Sequence, residues 1–547
     1  MGAALDQDRS KVSMSNRARL ALAAFPLGFL LLMLLAPALR LLLEGGQVSL
    51  WEPLEDGYLR WRLAWSFLQA GICCVAALGL GLPVAWVLAR FEFVGRTVVL
   101  RALMLPFVVP TLVAAMGVLA LLGPQGVLQA VGGPDLQGGP WLLIYGNLFF
   151  NLCLVVRAAT EALEQVSASR VAAARTLGAT PWRVFWRIEW PAIAPWLASA
   201  LCLVFVYCAS GFGLALVLGG QEYATVEVEI YTLVAHELAL AQAASLALWM
   251  LTLTGLVALA YAFIERRLAA PVRADTIARR APQGSLQWLG LGAAMVVLAV
   301  FCAAPLIAIV WRALGAGASA WGVLWEDATW AALWNSLRFT VMAVTLATAL
   351  GLAHALAARK SLLLRTLVFL PFVVSPVMVA FGLLLLYPAW TSSFGLLVCA
   401  YALLAYPFVA KSLAAGLDSM PRHLAQAART LGATPWHVFW RVTLPLLRPA
   451  LRRGMAFAAA TAVGEFAVTL FLSRPEWATL TTLVYEHLGR PGAANRDAAL
   501  VLSCLLMGLA LLAFVLIEWA APKPDDPRTP LVNGTATGPS AKDYLHA

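Results

Sequence analysis

The chain has 547 residues, of which 62% are apolar and only 12% charged, and its mean hydropathy is +0.82. A soluble protein of this length divides into several domains and carries about 25% charged residues to coat them. The composition therefore argues against a soluble protein, a secreted disulfide scaffold, a disordered chain or a nucleic-acid binder, and the formal net charge of +10 is informative only through its distribution.

A helix crosses the roughly 30 Å hydrocarbon core with about 20 apolar residues. Twelve runs meet that length: 20–43, 64–89, 99–122, 140–160, 196–218, 243–264, 287–312, 336–357, 362–388, 393–415, 449–472 and 497–518. The first follows a basic head (Arg9, Lys11, Arg17, Arg19) and is too long for a signal segment, so it reads as an uncleaved anchor. Placing both termini in the cytoplasm puts 30 of the 38 Lys and Arg on the inner side, as the positive-inside rule requires. All eight cysteines fall inside apolar runs and read as small buried hydrophobes. His236-Glu237 lacks the second His of a zinc motif, and no metal is expected in this chain.

An internal repeat organises the whole chain. AARTLGATPWRVFWR at 173–187 returns as AARTLGATPWHVFWR at 427–441, with one difference in fifteen positions. The same offset of 254 aligns Phe212 with Phe466 and Tyr231 with Tyr485, and LPFVV occurs at both 105–109 and 370–374. Each half thus holds six spans, and an even number implies parallel copies with a path between them. The expected divisions are a tail with first span and outer loop (1–63), a first half (64–265), a linker with seventh span and outer loop (266–335), a second half (336–519) and a disordered polar tail (520–547).

The repeated block lies in the longest cytoplasmic loop of each half. Glu161–Leu177 reads as a helix that stops at Gly178, a residue suited to the left-handed position beyond a helix end. Thr180 then caps a second helix with Pro181 in its first turn. Trp182, Phe185 and Trp186 share one face, and Pro191 is expected to end the helix before the next span. Gly432, Thr434, Pro435, Trp436, Phe439, Trp440 and Pro445 repeat this order. An aromatic face of this kind also suits a membrane-interface belt.

This helix–Gly–helix element resembles the EAA loop of ABC importer permeases. Ala172-Ala173-Ala174, Gly178 and Ile188-x-Trp190-Pro191 match it in the first copy; Gln426-Ala427-Ala428, Gly432 and Val442-x-Leu444-Pro445 match it in the second. Ala172 and Gln426 stand where the family has Glu. The resemblance implies an all-α membrane protein with about 12 transmembrane helices in two parallel six-helix repeats, the type I importer permease fold. It also implies two copies of a separate cytoplasmic ATPase that uses ATP and Mg, a periplasmic or lipid-anchored binding protein, and a place in the bacterial inner membrane. No phosphate-binding G-x-x-x-x-G-K-[ST] occurs in the sequence, so the chain itself is not expected to be an enzyme or to bind a cofactor.

Two permease halves fused in one chain are similar to the thiamine and ferric-iron permeases. The stretches LLGPQGVLQAVG (121–132), FFN (149–151) and LVLGGQEYATVEVEIY (216–231) favour the thiamine group, with ferric iron as the alternative. Glu465 in the eleventh span is the candidate solute-path acid, suited to a cationic solute, or else a structural partner for nearby donors. Asn147 and Asn151 in the fourth span, and Gln69 in the second, are lesser candidates. A secondary transporter is the rival on topology, but it needs no duplicated loop.

Overall fold

The computed structural model describes residues 16–134, 136, 138–268, 277–359, 361–391 and 393–519. Arg9, Lys11, the middle of the linker and the polar tail lie outside these residues, as do the expectations for both chain ends. The described regular structure is helical, apart from one isolated bridge between Phe91 and Arg280.

In the first half and its preceding span the helices are α1 (Leu20–Gly45), α2 (Gly57–Arg90), α3 (Thr111–Leu122), α4 (Trp141–Glu164), α5 (Ala168–Thr176), α6 (Pro181–Ala209), α7 (Gly213–Leu218), α8 (Val226–Ala235) and α9 (Leu240–Leu268). The remainder holds α10 (Ser285–Gly315), α11 (Asp327–Ala358), α12 (Pro376–Leu386), α13 (Phe394–Ser419), α14 (Arg422–Thr430), α15 (Leu444–Val463), α16 (Ala467–Leu472), α17 (Leu480–Gly489) and α18 (Ala493–Trp519). Among the described residues ten helices are long and apolar enough to cross a bilayer, and eleven do so if one bent pair counts as a span.

Four of the twelve expected runs are not single straight helices. In 99–122, the short helices Arg96–Ala102 and Leu105–Val108 precede α3, and the chain is extended at Val109 and Pro110. Prolines 106 and 110 withhold backbone donors, and a residue before proline avoids the helical region. The repeat of that motif gives the bent pair: Leu363–Val373 meets Pro376–Leu386 at 91°. The run 449–472 breaks at 464–466 between α15 and α16, as its counterpart breaks at 210–212 between α6 and α7. Arg448, Arg452 and Arg453 further interrupt the apolar stretch of α15.

The first span of each half packs on the other half. Helix α1 lies against α11, α12 and α13 as well as α9, and α10 lies against α2, α3, α4 and α18. Matching glycines make these contacts close. A Cβ on Gly117 would sit 2.8 Å from the Pro305 carbonyl oxygen, and one on Gly382 would sit 2.8 Å from Pro37 Cβ. The two halves are thereby interlocked, and the seam between them is the element that positions the candidate site.

Candidate functional site: coupling loops and the seam between the halves

Each repeated loop is built from short-range backbone chemistry. The expected helix Glu161–Leu177 is in fact two. Helix α4 ends at Glu164, and Ser167 caps α5 by accepting from the Arg170 N–H at 3.4 Å. A serine side chain offers the backbone this competing partner, which favours a new helix start over continuation. In the second copy Pro421, whose missing N–H cannot continue α13, makes the same break.

Past α5 and α14 the chain turns identically. Gly178 and Gly432 have φ of +77° and +82°. The Gly178 N–H donates to the Arg175 carbonyl at 3.0 Å and the Ala179 N–H to the Ala174 carbonyl at 3.0 Å. Gly432 to Arg429 (2.9 Å) and Ala433 to Ala428 (3.0 Å) reproduce the pair, which is the Schellman pattern. Ala173 and Ala427 accept from the Thr176 and Thr430 hydroxyls at 2.8 and 2.7 Å. Thr180 and Thr434 then cap the next helix, each accepting a backbone N–H at 3.4 Å, with Pro181 and Pro435 in the first turn.

Pro191 does not end this helix, contrary to expectation. Residues Phe185–Glu189 form a π-turn, closed by the Trp190 N–H on the Phe185 carbonyl, and the helix runs on to Ala209. The widened turn relieves the clash that a proline ring makes with the preceding turn. Phe439–Thr443 before Pro445 does the same. The second helix of each loop is therefore continuous with a span, α6 or α15.

Trp182, Phe185 and Trp186 form a contiguous ring cluster, with Trp182–Trp186 centroids 5.6 Å apart; Trp436, Phe439 and Trp440 match it at 5.4 Å for the tryptophan pair. The tips are solvent-facing: Leu177 and Leu431 are each 88% exposed, Trp182 70% and Trp436 67%. The two leucines were not singled out in the sequence, although they lie inside the repeated block.

Acid–arginine clamps, also missed, hold the loop bases. Glu164 pairs with Arg96 at 2.5 Å and with Arg279 of the linker at 3.1 Å. Its equivalent, Asp418, holds Arg365 through two contacts of 2.8 and 3.0 Å. Buried Glu189 holds Arg90 at 2.7 Å, while the matching position in the second half is Thr443. Glu189→Ala strands Arg90 without its partner, and breaking a buried pair costs about 3–5 kcal/mol. The expected result is a lower unfolding midpoint in detergent, checked by a fluorescence melt, with a much smaller change for Thr443→Ala.

The seam contains the other candidates. Phe212 and Phe466, in the two helix breaks, stack on each other across the halves with centroids 5.8 Å apart and planes at 24°. Tyr231 meets Phe212 at 5.7 Å, and Tyr485 meets Phe466 at 5.3 Å. Tyr231 also reaches Phe471 of the second half at 5.3 Å. The N-terminus of α8 is held by Ser66, whose hydroxyl accepts from the Val226 N–H at 2.8 Å; Ser336 does this for Leu480 of α17 at 2.9 Å.

Glu465 is buried at the break before α16. Its Oε1 accepts from the Val468 N–H at 3.0 Å, and its carbonyl accepts from Thr481 Oγ1 at 3.0 Å and from the Tyr401 hydroxyl at 3.4 Å. Asn147 and Asn151 belong to a different cluster. Asn147 donates to Gln69 Oε1 at 2.9 Å, Gln69 donates to the Cys208 carbonyl at 2.7 Å, and Asn151 donates to the Asn147 carbonyl at 2.9 Å. These bonds tie α2, α4 and α6 together, and none reaches Glu465.

Residues 77–270 and 343–526 both match the family described as binding-protein-dependent transport system inner membrane component. The chain belongs to that family. It is a multi-pass ABC importer permease with both halves fused, and permease subunits of this kind are not themselves enzymes and bind no cofactor. Membership implies a binding protein and an ATPase as partners. The thiamine transport system permease protein ThiP of Escherichia coli (strain K12) is 28% identical over 500 residues, covering 86% of this chain and 90% of that protein. ThiP of Haemophilus influenzae is 26% identical over 86% of this chain and 91% of its own length. The molybdenum transport system permease protein ModB of H. influenzae is 33% identical over 29% of this chain and 76% of its own length.

Proposed function

We propose that this permease forms the translocation path of an importer for thiamine or its phosphates, driven by two copies of a cytoplasmic ATPase that hydrolyses ATP with Mg. Support for the solute comes from the breadth of the likeness to the ThiP permeases, which spans both fused halves, whereas the likeness to ModB covers about one. The observation that carries the coupling role is the paired loop geometry: two Schellman turns with the same exposed leucine and tryptophan tip. Two such tips suit two equivalent ATPase clefts better than a lipid interface, because a belt needs neither the turn nor its repetition.

In this reading the binding protein delivers solute at the outer face of the seam. Closure of the ATPase pair moves both loop tips, and the continuous helices α6 and α15 carry that movement to the breaks at 210–212 and 464–466. Residues 161–195, 265–286 and 416–448 lie on the cytoplasmic side and 219–241 on the outer side, from which α8 packs into the seam, with both termini inside. A cysteine introduced at Thr180 is expected to resist impermeant thiol reagent in intact cells and to react in inverted vesicles; labelling from outside overturns the orientation. Cells that depend on this importer, with its ATPase and binding protein, are expected to accumulate labelled thiamine, and failure to do so overturns the solute assignment.

A further inference from the structure

We propose that Glu227, with the rings of Phe212, Tyr231, Phe466 and Tyr485, forms a site in the translocation path for the positively charged ring of the solute. This rests on the thiamine reading above, because thiamine carries a cationic thiazolium.

Glu227 is fully buried at the start of α8. Its side chain crosses the seam: Oε2 accepts from the Ser375 hydroxyl of the second half at 2.7 Å, while Oε1 has no hydrogen-bond partner. Among the described residues no basic group pairs with it. The neighbouring acid differs in this respect. Glu229 faces Arg62 at 3.3 Å and accepts from the Tyr58 hydroxyl at 2.8 Å, so its charge is matched within the protein. Glu465 is occupied by the start of α16. Of these three buried acids, Glu227 alone has a buried carboxylate oxygen without a hydrogen-bond partner.

Tyr231 lies one helical turn from Glu227, on the same face of α8. That face looks into the other half, since Glu227 meets Ser375 and Tyr231 meets Phe471. The four rings form a continuous aromatic surface contributed by both halves, and Tyr231 at one end of it stands one turn from Glu227. A carboxylate beside ring faces is the pairing that attracts an organic cation, through charge and through the ring quadrupole. The site is asymmetric, because the residue equivalent to Glu227 is Thr481. Here the rings stack against one another, so the surface becomes available when the halves separate, and a hydrated seam is also where the carboxyl is able to hold its charge.

Two substitutions separate charge from structure. Glu227→Gln keeps the shape and an oxygen for Ser375 but deletes the charge. Ser375→Ala removes the hydrogen bond across the seam together with the cap that the same hydroxyl gives the Met378 N–H at the start of α12, and leaves the Glu227 charge in place. In proteoliposomes holding the permease and its ATPase, with binding protein outside, thiamine uptake and ATP hydrolysis stimulated by the loaded binding protein are measured together. Glu227→Gln is expected to lower uptake about tenfold or more while stimulated hydrolysis stays within about twofold, and Ser375→Ala to leave both within about twofold. Unchanged uptake by the Gln variant overturns the proposal. Parallel losses in the Gln and Ala variants, or loss of hydrolysis with uptake, also overturn it and make the pair a structural latch. If the Gln variant fails to reach the membrane, Tyr231→Leu is held to the same criterion: lost uptake with hydrolysis retained supports the site, and unchanged uptake overturns it. Wild-type uptake of thiamine with no effect of these variants removes this site alone; absence of thiamine uptake by the wild type removes the solute assignment and the site together.

Discussion

Gly178→Val with Gly432→Val is expected to insert normally and yet lose most of the ATP hydrolysis that loaded binding protein stimulates. Both glycines sit at positive φ, +77° and +82°, where a side chain costs about 1–2 kcal/mol and a β-branched one more. The cost is purely conformational, because a Cβ at either position would find open space within 4 Å. The strain has a simple escape. The turn unwinds, the bonds from Gly178 to Arg175 and from Ala179 to Ala174 are lost, and the exposed tip moves away from its partner. Asparagine enters the left-handed region more readily than other side chains. Gly178→Asn with Gly432→Asn should therefore keep coupling within a few-fold although it adds more atoms than alanine would. Co-purification of the ATPase with each permease variant, alongside stimulated hydrolysis, checks both. Full coupling in the double Val variant removes the docking reading of these loops.

Features set by short-range chemistry were legible in the sequence. Gly178, Thr180 and Pro181 each act on backbone groups within three or four residues, so the turn and the second helix start could be read from residue order. The repeat offset also brought Phe212 into register with Phe466, and Tyr231 with Tyr485. Hydropathy alone is silent on where backbone donors go, which is why 99–122 and 362–388 read as single spans. There the answer depended on Pro106, Pro110 and Pro376. Pro191 read as a stop because the π-turn that accommodates it leaves no mark in composition. Long-range features left still less trace. Glu227 lies in VEVE, between the apolar runs 196–218 and 243–264 and outside every expected span, and its partner Ser375 is 148 positions away. The crossing of α1 and α10 onto the opposite halves depends on Gly117 meeting Pro305 and Gly382 meeting Pro37, which no local pattern announces.

Glu465→Leu and Glu465→Gln are expected to differ sharply, and the difference decides between path and scaffold for this residue. The carboxyl accepts from the Val468 N–H where α15 breaks and α16 begins, so it supplies a partner to a donor that the break leaves exposed. Leucine removes the acceptor from a buried position, and a buried donor left unsatisfied costs about 1–3 kcal/mol. Phe466 follows directly and stacks on Phe212, so loosening this break also loosens the seam. The Leu variant should show reduced membrane abundance, a lower unfolding midpoint and poor uptake. Glutamine keeps a carbonyl oxygen for the Val468 N–H and changes only the charge, so its abundance and thiamine uptake should stay near wild type. The measurement is uptake of labelled thiamine per unit of permease in the membrane, beside a melt in detergent. A Gln variant that accumulates and melts normally but transports slowly would place the Glu465 charge in the path beside that of Glu227; two acids would then act on one cationic solute, and the double Gln variant should transport less than either single variant.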